Sequence, residues 1–523
     1  MTNAARSTQA THEAPETGPN GILAAMPRQV STAIVGAGFG GVAAAIELKR
    51  RGQDDVVILE RGDRLGGVWR ANTYPGIACD VPSHLYSLSC APNARWTRRF
   101  SPGVEIQAYL EDVARRFDVA RHVRLNADVV RASFDDGSGR WQVETADGER
   151  IEAEVLITAC GQLTRPAIPD LPGLGEFRGE VFHSAHWPGD TMLEGRRVAV
   201  VGTGASAIQF VPAIAPHVAH MTVFQRSAPW VLPKSDKAYA PSTRRLYAHV
   251  PLLQRAIRKL WWALMESIVP AFTRRPTPVA KVVTAPLRAM STLNRLVQLR
   301  GDRRLFAATT PDYSLGCKRV LITSEWFPTL LRDNVDLVTT PISEITSDAV
   351  VTADGARHQV DTIVFGTGFT ATEFLAPMEV RGRDGLALTE AWRDGAEAYL
   401  GISVPGFPNM FMLYGPNTNH GTGSALHLIE TQAAYAADAA RMLGAGEAEQ
   451  LEVRREVHDA FQRELAERLS DCVWADCSSW YVTESGRITN QWPGTQTEYR
   501  RRAARLDPAD YVTAAPAEVA VTA

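Results

Sequence analysis

Two glycine-rich turns, separated by 166 residues, constrain the fold of this 523-residue chain more than any other feature. The first turn spans residues 36–41 (GAGFGG) and the second spans residues 202–207 (GTGASA). Each turn follows a short apolar run and opens a helical pattern, which is the setting that a dinucleotide-binding strand–turn–helix unit requires. The repeated unit predicts an α/β fold with two Rossmann-like dinucleotide-binding domains.

Each glycine of such a turn has its own physical role. The first glycine permits the tight turn, the second lets the backbone approach a pyrophosphate, and the third allows the helix to pack closely on the strand. Free N–H groups and the positive dipole end of the helix then face the phosphates. The residues predicted to hold phosphate groups are Gly36, Gly38, Gly41, Gly202, Gly204 and Ser206.

A charged residue follows each turn at the same distance, 24 residues after its first glycine. Glu60 follows the first turn, and a carboxylate there accepts hydrogen bonds from a ribose 2′-hydroxyl. Arg226 follows the second turn, and a guanidinium there accommodates a 2′-phosphate, with Ser227 as a further donor. The chain is therefore expected to bind two different dinucleotides, the second of them phosphorylated. This pattern indicates FAD and NADPH.

Composition, charge and cysteine content exclude several classes of protein. Charged residues make up 22% and apolar residues 45% of the chain, an ordinary globular balance, and the net charge of −3 gives no support for a nucleic-acid partner. No apolar stretch is long enough to form a transmembrane segment. The six cysteines show no zinc spacing, so no metal site is predicted, and reduced thiols in a cytoplasmic monomer or homodimer are expected.

A second internal correspondence indicates a duplicated module. Residues 154–161 resemble residues 361–368, since each has an acidic residue, an apolar strand and a turn of small residues. A later apolar run, residues 407–414, is interpreted as a strand that returns to the first domain. The predicted division is a disordered leader (1–29), an FAD domain in two parts (30–161 and 371–523), an NADP domain in two parts (162–233 and 313–370) and a helical insertion (234–312).

The insertion is basic and carries an apolar stripe with the period of one helical face. The favoured interpretation is a helix packed inside the protein. Contact with a membrane surface is the alternative, because Trp261 and Trp262 lie close to basic residues. The stripe consists of Leu253, Ile257, Leu260, Leu264 and Ile268.

Two further stretches carry a resemblance to a known family. Residues 67–80, with the pattern G-x-W-x4-Y-P-G-x3-D, resemble the longer fingerprint of the flavin-containing Baeyer–Villiger monooxygenases. Residues 177–188, with the pattern F-x-G-x3-H-x3-W-P, resemble the shorter one. Related enzymes that oxygenate nitrogen or sulfur usually carry another residue where Trp187 stands.

The resemblance implies an activity. NADPH reduces FAD, O2 adds to the reduced flavin at C4a, and the resulting peroxide anion attacks a ketone to give an ester or lactone. Such an anion needs a fixed positive charge, and electrostatic stabilisation is often the largest catalytic effect. The resemblance assigns that charge to Arg319, which it places over the flavin, with Asp80 behind it to orient the guanidinium.

The resemblance also implies further cofactor contacts. Lys318 joins the two residues already predicted at the 2′-phosphate. Trp69, Tyr86 and Val129 belong to the FAD surroundings, and Trp480 corresponds to a mobile residue that closes over NADP.

Two rival functions remain open at this point. The first is a related monooxygenase that acts on sulfur or nitrogen, for which Arg319 is less essential. The second is a flavoprotein without turnover that serves as a redox-sensing binding module. His183 is interpreted as structural, and His420, His427 and Glu430 are interpreted as loop or helix-capping groups rather than catalytic ones.

Overall fold

The computed structural model describes residues 27–189, 191–272, 278–476, 479, 481–483 and 485–513. Within these ranges the strands form one sheet of eight strands, one of five, one of three and two of two. The first 26 residues, most of the predicted leader, lie outside the described residues. The first strand already begins at Arg28, two residues before the predicted start of the FAD domain, because Arg28 and Gln29 pair with the strand beside them.

The strands and helices alternate along much of the chain. The strands are Arg28–Val35 (β1), Val56–Leu59 (β2), Val123–Arg124 (β3), Val129–Asp135 (β4), Arg140–Thr145 (β5), Arg150–Thr158 (β6), Glu180–His183 (β7), Arg197–Val201 (β8), His220–Phe224 (β9), Val231–Leu232 (β10), Leu321–Ile322 (β11), Val335–Val338 (β12), Ile342–Ile345 (β13), Ala349–Thr352 (β14), Arg357–Gln359 (β15), Thr362–Phe365 (β16), Glu379–Arg381 (β17), Met410–Met412 (β18), Leu451–Val453 (β19) and Tyr511–Thr513 (β20). The α-helices are Phe39–Arg50 (α1), Val68–Ala71 (α2), Gly103–Arg116 (α3), Ala207–Ile214 (α4), Pro241–His249 (α5), Pro251–Phe272 (α6), Pro278–Gln298 (α7), Arg303–Ala308 (α8), Trp326–Leu330 (α9), Leu388–Ala391 (α10), Ala425–Gly444 (α11), Arg455–Ser470 (α12) and Gln496–Arg502 (α13).

The eight-stranded sheet has the order β17-β4-β5-β6-β1-β2-β3, and β18 pairs with β6. The strands around β1 are parallel, and Ile34 stands in register with Ile58 on one side and Ile157 on the other. These strands are buried on both faces, as parallel strands between helices are, and they read as continuous apolar runs. The chain is back in the first sheet from residue 379, because β17 pairs with β4, and the predicted returning strand, β18, pairs with β6.

The five-stranded sheet has the order β12-β9-β8-β16-β7, and all its strands are parallel. Here Val200 of β8 stands in register with Val223 and Val364. β8 is thus paired with β16 as β1 is paired with β6. The predicted α/β fold with two Rossmann-like domains is confirmed by this repeated arrangement.

The segment between β10 and β11 is helical, as predicted, and contains α5 to α8. The expected packing of α6 inside the protein holds only in part: Leu260 and Leu264 of the predicted stripe are exposed, whereas Leu253, Ile257 and Ile268 are half-buried. The opposite side of α6 is the buried one and includes Gln254 and Val269. It also includes Arg258, which donates to backbone carbonyls of residues 84, 85 and 87.

Candidate active site

The first glycine-rich turn joins β1 to α1 with little free space. Gly36 has φ of +102°, and a Cβ there would lie 2.7 Å from the carbonyl oxygen of Ala159, so a larger residue does not fit. A Cβ on Gly41 would lie 1.9 Å from the oxygen of Gly36. No side chain caps the N-terminus of α1. The bare backbone at this helix end suits the phosphate groups of a dinucleotide.

The second turn repeats the geometry of the first. Gly202 has φ of +107°, and a Cβ there would lie 2.6 Å from the oxygen of Gly366. Gly204 is less crowded, because a Cβ there would lie 3.7 Å from the same carbonyl oxygen, its nearest neighbour. Ser206 precedes α4, and its side chain does not cap the helix. The open space at Gly204 is therefore left for a ligand rather than for the protein's own atoms.

Glu60 is buried at the end of β2 and lies beside the first turn. One carboxylate oxygen accepts a hydrogen bond from the Ala37 N–H and the other from the Gly62 N–H, both at 2.8 Å. These two bonds fix the carboxylate, and each oxygen keeps acceptor capacity for a hydroxyl group. The Glu60 carboxylate is therefore suited to accept hydrogen bonds from the hydroxyl groups of a ribose.

Three polar side chains meet near the second turn. Lys318 Nζ donates to Ser227 Oγ at 3.0 Å and lies 4.7 Å from the centre of the Tyr313 ring. Burial, and next the positive charge of Arg226, lower the pKa of Lys318, while Asp312 acts in the opposite direction. Arg226 itself is exposed along the cavity wall. Two neighbouring cations and a hydroxyl form a donor set suited to a phosphate group.

Arg319 and Asp80 form an ion pair although they stand 239 residues apart in the sequence. Arg319 Nε donates to Asp80 Oδ2 at 3.0 Å, and Nη2 donates to the same oxygen. The charge of Asp80 outweighs burial and raises the pKa of Arg319. Burial opposes ionisation of Asp80, but the charge and hydrogen bonds of Arg319 and the charge of Lys234 bring the pKa of Asp80 below its ordinary value. Both groups are therefore charged at neutral pH.

Aromatic side chains follow the first turn. Trp69 Nε1 donates to the hydroxyl of Tyr86 at 3.0 Å, and the two rings meet edge to face. Phe39 contacts Tyr86 in the same way, with ring centres 5.5 Å apart. Val129 is buried at the start of β4. This group forms a largely apolar wall with few hydroxyl donors, as a flat aromatic ligand requires.

These groups line one cavity of about 1780 Å³ that runs between the two sheets. The volume exceeds the roughly 300–1,000 Å³ of an ordinary ligand pocket, as two dinucleotides require. Gly41 lies beneath the first turn, outside the lining, and Trp480 lies outside the described residues. The predicted site residues that line the cavity are Gly36, Gly38, Glu60, Trp69, Asp80, Tyr86, Val129, Gly202, Gly204, Ser206, Arg226, Ser227, Lys318 and Arg319.

Of four other polar groups singled out in the sequence, two contact the backbone and two lie outside the cavity lining. His183 is buried, with its pKa lowered to about 4 by burial, and its Nδ1 accepts from the Ala185 N–H. His420 lines the cavity, but both of its ring nitrogens contact backbone carbonyls. His427 and Glu430 are not in the cavity lining.

Gln209 is a cavity residue that sequence reasoning missed. Its amide nitrogen donates to the carbonyl of Ala78 at 2.9 Å, and its oxygen accepts from the hydroxyl of Tyr74 at 3.0 Å. It thereby ties α4 of the second sheet to the segment that carries Asp80. Only its place on the helix after the second turn distinguishes it in the sequence.

Among the described cysteines, Cys79, Cys90 and Cys160 are free, as expected. Cys317 is disulfide-bonded, so the expectation of reduced thiols is wrong at that position. In the described part of the chain, every helix is too short or too polar to cross a membrane.

The fold and the cavity define a class of protein. Two dinucleotide turns open onto one cavity, one beside a carboxylate and the other beside a cationic phosphate site. The ion pair of Arg319 and Asp80 lines the same cavity. This arrangement is that of a flavoprotein oxidoreductase that uses FAD and NADPH.

Comparison with known proteins makes this class more specific. Residues 33–250 match the family described as pyridine nucleotide-disulphide oxidoreductase. The chain is 44% identical to a Baeyer–Villiger monooxygenase of Streptomyces coelicolor over 497 residues, which cover 94% of each chain. Its structure resembles that of closed cyclohexanone monooxygenase, with a TM-score of 0.83 and 27% identity over 94% of this chain and 100% of that one. It also resembles OTEMO in complex with FAD and NADP, with a TM-score of 0.80 and 26% identity over 91% of this chain and 97% of that one.

The chain therefore belongs to the Baeyer–Villiger monooxygenases. It is an oxygenating flavoenzyme with FAD and NADP as its cofactors, and this confirms the resemblance seen in its fingerprints. The alternative of sulfur or nitrogen oxygenation is not favoured by these relatives.

Proposed function

We propose that the substrate is a ketone and that one oxygen atom of O2 is inserted next to its carbonyl, giving an ester or a lactone. The observation that carries the proposal is the ion pair of Arg319 and Asp80 on the wall of the cavity. The similarity to cyclohexanone monooxygenase, a protein named for a ketone, supports the same substrate class.

We assign the two ends of the cavity to the two cofactors. The end at the first turn, with Glu60 and the Trp69–Tyr86 pair, holds FAD. The end at the second turn, with Arg226, Ser227 and Lys318, holds NADPH. We keep Trp480 as a residue that closes over NADP. We also keep the predicted domain limits, except that the FAD domain begins at Arg28.

Arg319 is assigned as the catalytic cation. Bound FAD supplies the redox chemistry by which O2 is activated at the expense of NADPH. Negative charge builds up on the substrate oxygen when a carbonyl is attacked, and a fixed guanidinium stabilises that charge. Two unit charges about 4 Å apart attract by roughly 4 kcal/mol at an effective dielectric constant near 20.

Asp80 is assigned as the group that positions this cation. It binds Nε and Nη2 of Arg319 through a single oxygen, so it fixes the plane of the guanidinium. Among the described residues, no hydrogen bond occupies Nη1, which is left to donate toward a ligand. Asp80 also balances the charge of Arg319 when no anion is present.

Replacement of Arg319 tests the proposal. Arg319→Ala is expected to lower the rate of ester formation by about 10²- to 10³-fold, because one preorganised donor is lost. Flavin absorbance of the purified variant is expected to persist, since the FAD end of the cavity is untouched. Arg332→Ala, at an exposed arginine outside the cavity lining, is the control and should behave as wild type. Full ester formation by Arg319→Ala, read by product mass, would overturn the assignment.

We further propose a cytoplasmic monomer or homodimer. The free thiols of Cys79, Cys90 and Cys160 and the use of NADPH support that location.

A further inference from the structure

The helical segment between β10 and β11 differs strongly in charge from the rest of the protein. Residues 241–300 contain eleven lysines and arginines but one acidic residue, Glu266, whereas the whole chain has a formal charge of −3. Glu266 is already engaged, since its carboxylate accepts from the N–H groups of Gln496 and Thr497 at 2.8 and 2.9 Å. The segment is therefore a concentrated positive region on an otherwise slightly acidic protein.

Two helices of this segment, α6 and α7, expose large apolar side chains. Each of these side chains is between 46% and 72% exposed. On each helix their spacing is close to whole turns, so they share one side of that helix. We call this set the insertion face; it consists of Leu252, Leu260 and Leu264 on α6 and Val282, Leu293, Leu296 and Val297 on α7.

Exposed cations flank the insertion face. At 3.6 residues per turn, Arg255 and Lys259 lie along one edge of the α6 leucines, and Lys281 and Arg288 lie along one edge of the α7 stripe. None of the four forms an ion pair with another described residue, although ion pairs are frequent elsewhere on the surface. Their positive charge is thus left for an external partner.

The opposite sides of both helices are anchored in the protein. On α6, Arg258 donates to three backbone carbonyls of residues 84–87. On α7, Ser291 donates to the carbonyl of Val231 at 2.8 Å, and Arg295 donates to the carbonyl of Thr309 at 3.0 Å. The helices are therefore held in a fixed orientation, and the insertion face points away from the body of the protein.

Charge decides which partner this face fits. A second copy of the chain would bring two positive surfaces together, and like charges oppose such contact. Nucleic acid satisfies the cations but offers little to leucine and valine side chains. An anionic phospholipid surface matches both parts, because apolar side chains enter the headgroup boundary while lysine and arginine contact the lipid phosphates.

We propose that the insertion face docks on membranes that contain anionic phospholipids. The contact is peripheral and reversible, since it rests on a few apolar side chains and screened charges. It is independent of the substrate proposed above.

Co-sedimentation of the FAD-loaded enzyme with lipid vesicles tests the proposal. Binding to vesicles of phosphatidylcholine and phosphatidylglycerol is expected at about 50 mM salt, with a loss of at least about tenfold near 500 mM because the charges are screened. Vesicles of phosphatidylcholine alone should bind far less. The double variant R255E/K259E and the variant L260S should each weaken binding, while their NADPH oxidation rates stay at the wild-type level.

A matched variant distinguishes the effect of the insertion face from the effect of the overall charge of the protein. R455E/R463E makes the same charge change on α12, where both arginines are exposed, and should bind vesicles like the wild type. Equal loss of binding in R455E/R463E, or no binding of the wild type to anionic vesicles at low salt, overturns the proposal. It is likewise overturned if R255E/K259E instead converts a dimer to a monomer in sedimentation analysis, which would assign the face to a second copy.

Discussion

At the scale of single residues, the surroundings of Lys318 destabilise its protonated form. Burial and the nearby charge of Arg226 both work against its protonated form. A 2′-phosphate offsets that effect, because it supplies the negative charge that the site lacks. At the proposed NADPH end of the cavity, one phosphate would therefore be bound by the cations Arg226 and Lys318 and by the hydroxyl of Ser227.

Replacement of Arg226 tests this interpretation. A charged hydrogen bond contributes about 1.5–3 kcal/mol, so Arg226→Ala is expected to raise KM for NADPH about tenfold to a hundredfold. KM for NADH should stay nearly constant, because NADH carries no 2′-phosphate. Steady-state kinetics with both nucleotides measure the difference, and an equal change in the two KM values would contradict the assignment.

The lowered pKa of Lys318 predicts a pH dependence with a definite sign. In the free enzyme the pKa of Lys318 lies below the ordinary 10.5, and a bound phosphate raises it by stabilising the charged amine. As pH rises through the lowered pKa, the amine loses its proton, so affinity for NADPH must fall. KM for NADPH measured against alkaline pH is expected to rise, and KM for NADH is expected to stay level.

The same experiment has an internal check. In Arg226→Ala the repelling charge is gone, so the pKa of Lys318 moves up and the rise in KM should begin at higher pH. In Lys318→Arg the rise should disappear, since arginine stays protonated throughout this range. A rise of equal size with NADH would show that another group titrates.

Some residues of this site can be predicted from the sequence and others cannot. Glu60, Arg226 and the turn glycines are predictable because their spacing from a strand is set by one compact unit. Arg319 and Asp80 carry no local signal of their meeting, and only the resemblance to a family pairs them. Gln209 is missed altogether because its contacts with Tyr74 and Ala78 depend on how two sheets pack.

At the scale of secondary-structure elements, the second strand–turn–helix unit separates two kinds of glycine. Gly202 is required by the fold, since its φ is +107° and a Cβ would meet the oxygen of Gly366 at 2.6 Å. Gly204 has room for a Cβ in the protein itself. Any need for glycine at that position must come from a ligand.

Two alanine substitutions are expected to differ accordingly. Gly202→Ala should lower the free energy of unfolding by about 1–3 kcal/mol, because it adds backbone strain and a close contact. Gly204→Ala should leave unfolding nearly unchanged but weaken NADPH binding, because the added methyl group takes up space for the pyrophosphate. Denaturant unfolding of the two variants, together with NADPH titration, measures both effects. Equal destabilisation by both would contradict the distinction.

The helix α6 shows where periodicity reaches its limit. Its apolar stripe correctly predicts a helix, but Leu260 and Leu264 of that stripe are exposed, and the more buried side carries Gln254 and Arg258. The polar side is buried because backbone carbonyls of residues 84–87 accept hydrogen bonds from it. A sequence pattern records which residues share a side, and it does not record which side the rest of the protein covers.

At the scale of the whole molecule, Arg258 joins the helical insertion to the first sheet's domain. Its Nη1 atom donates to three carbonyls at 2.6–3.3 Å, and Nη2 lies 3.8 Å from the carboxylate of Glu430. Burial raises the pKa of Glu430, against the charge of Arg258. This arginine is the most connected polar link described between α6 and the remainder of the chain.

Loss of that link is expected to cost stability. Arg258→Leu should lower the free energy of unfolding by about 3–5 kcal/mol, since it leaves a buried acid and several carbonyls without their donor. Arg255→Leu, one turn earlier on the exposed side of α6, should change stability by less than about 0.5 kcal/mol. Urea unfolding followed by fluorescence compares the two, and similar midpoints would contradict the structural role of Arg258.

The ion pair of Arg319 and Asp80 links the two halves of the molecule. Asp80 follows the first dinucleotide turn and Arg319 precedes β11, so neither half of the molecule contains both residues of the proposed reaction centre. A tilt between the halves large enough to release the oxidised nucleotide would separate the Arg319 guanidinium from the Asp80 carboxylate. The proposed catalytic arrangement would then be lost. With the roles proposed for Arg319 and Asp80, turnover would therefore require both halves to be in contact.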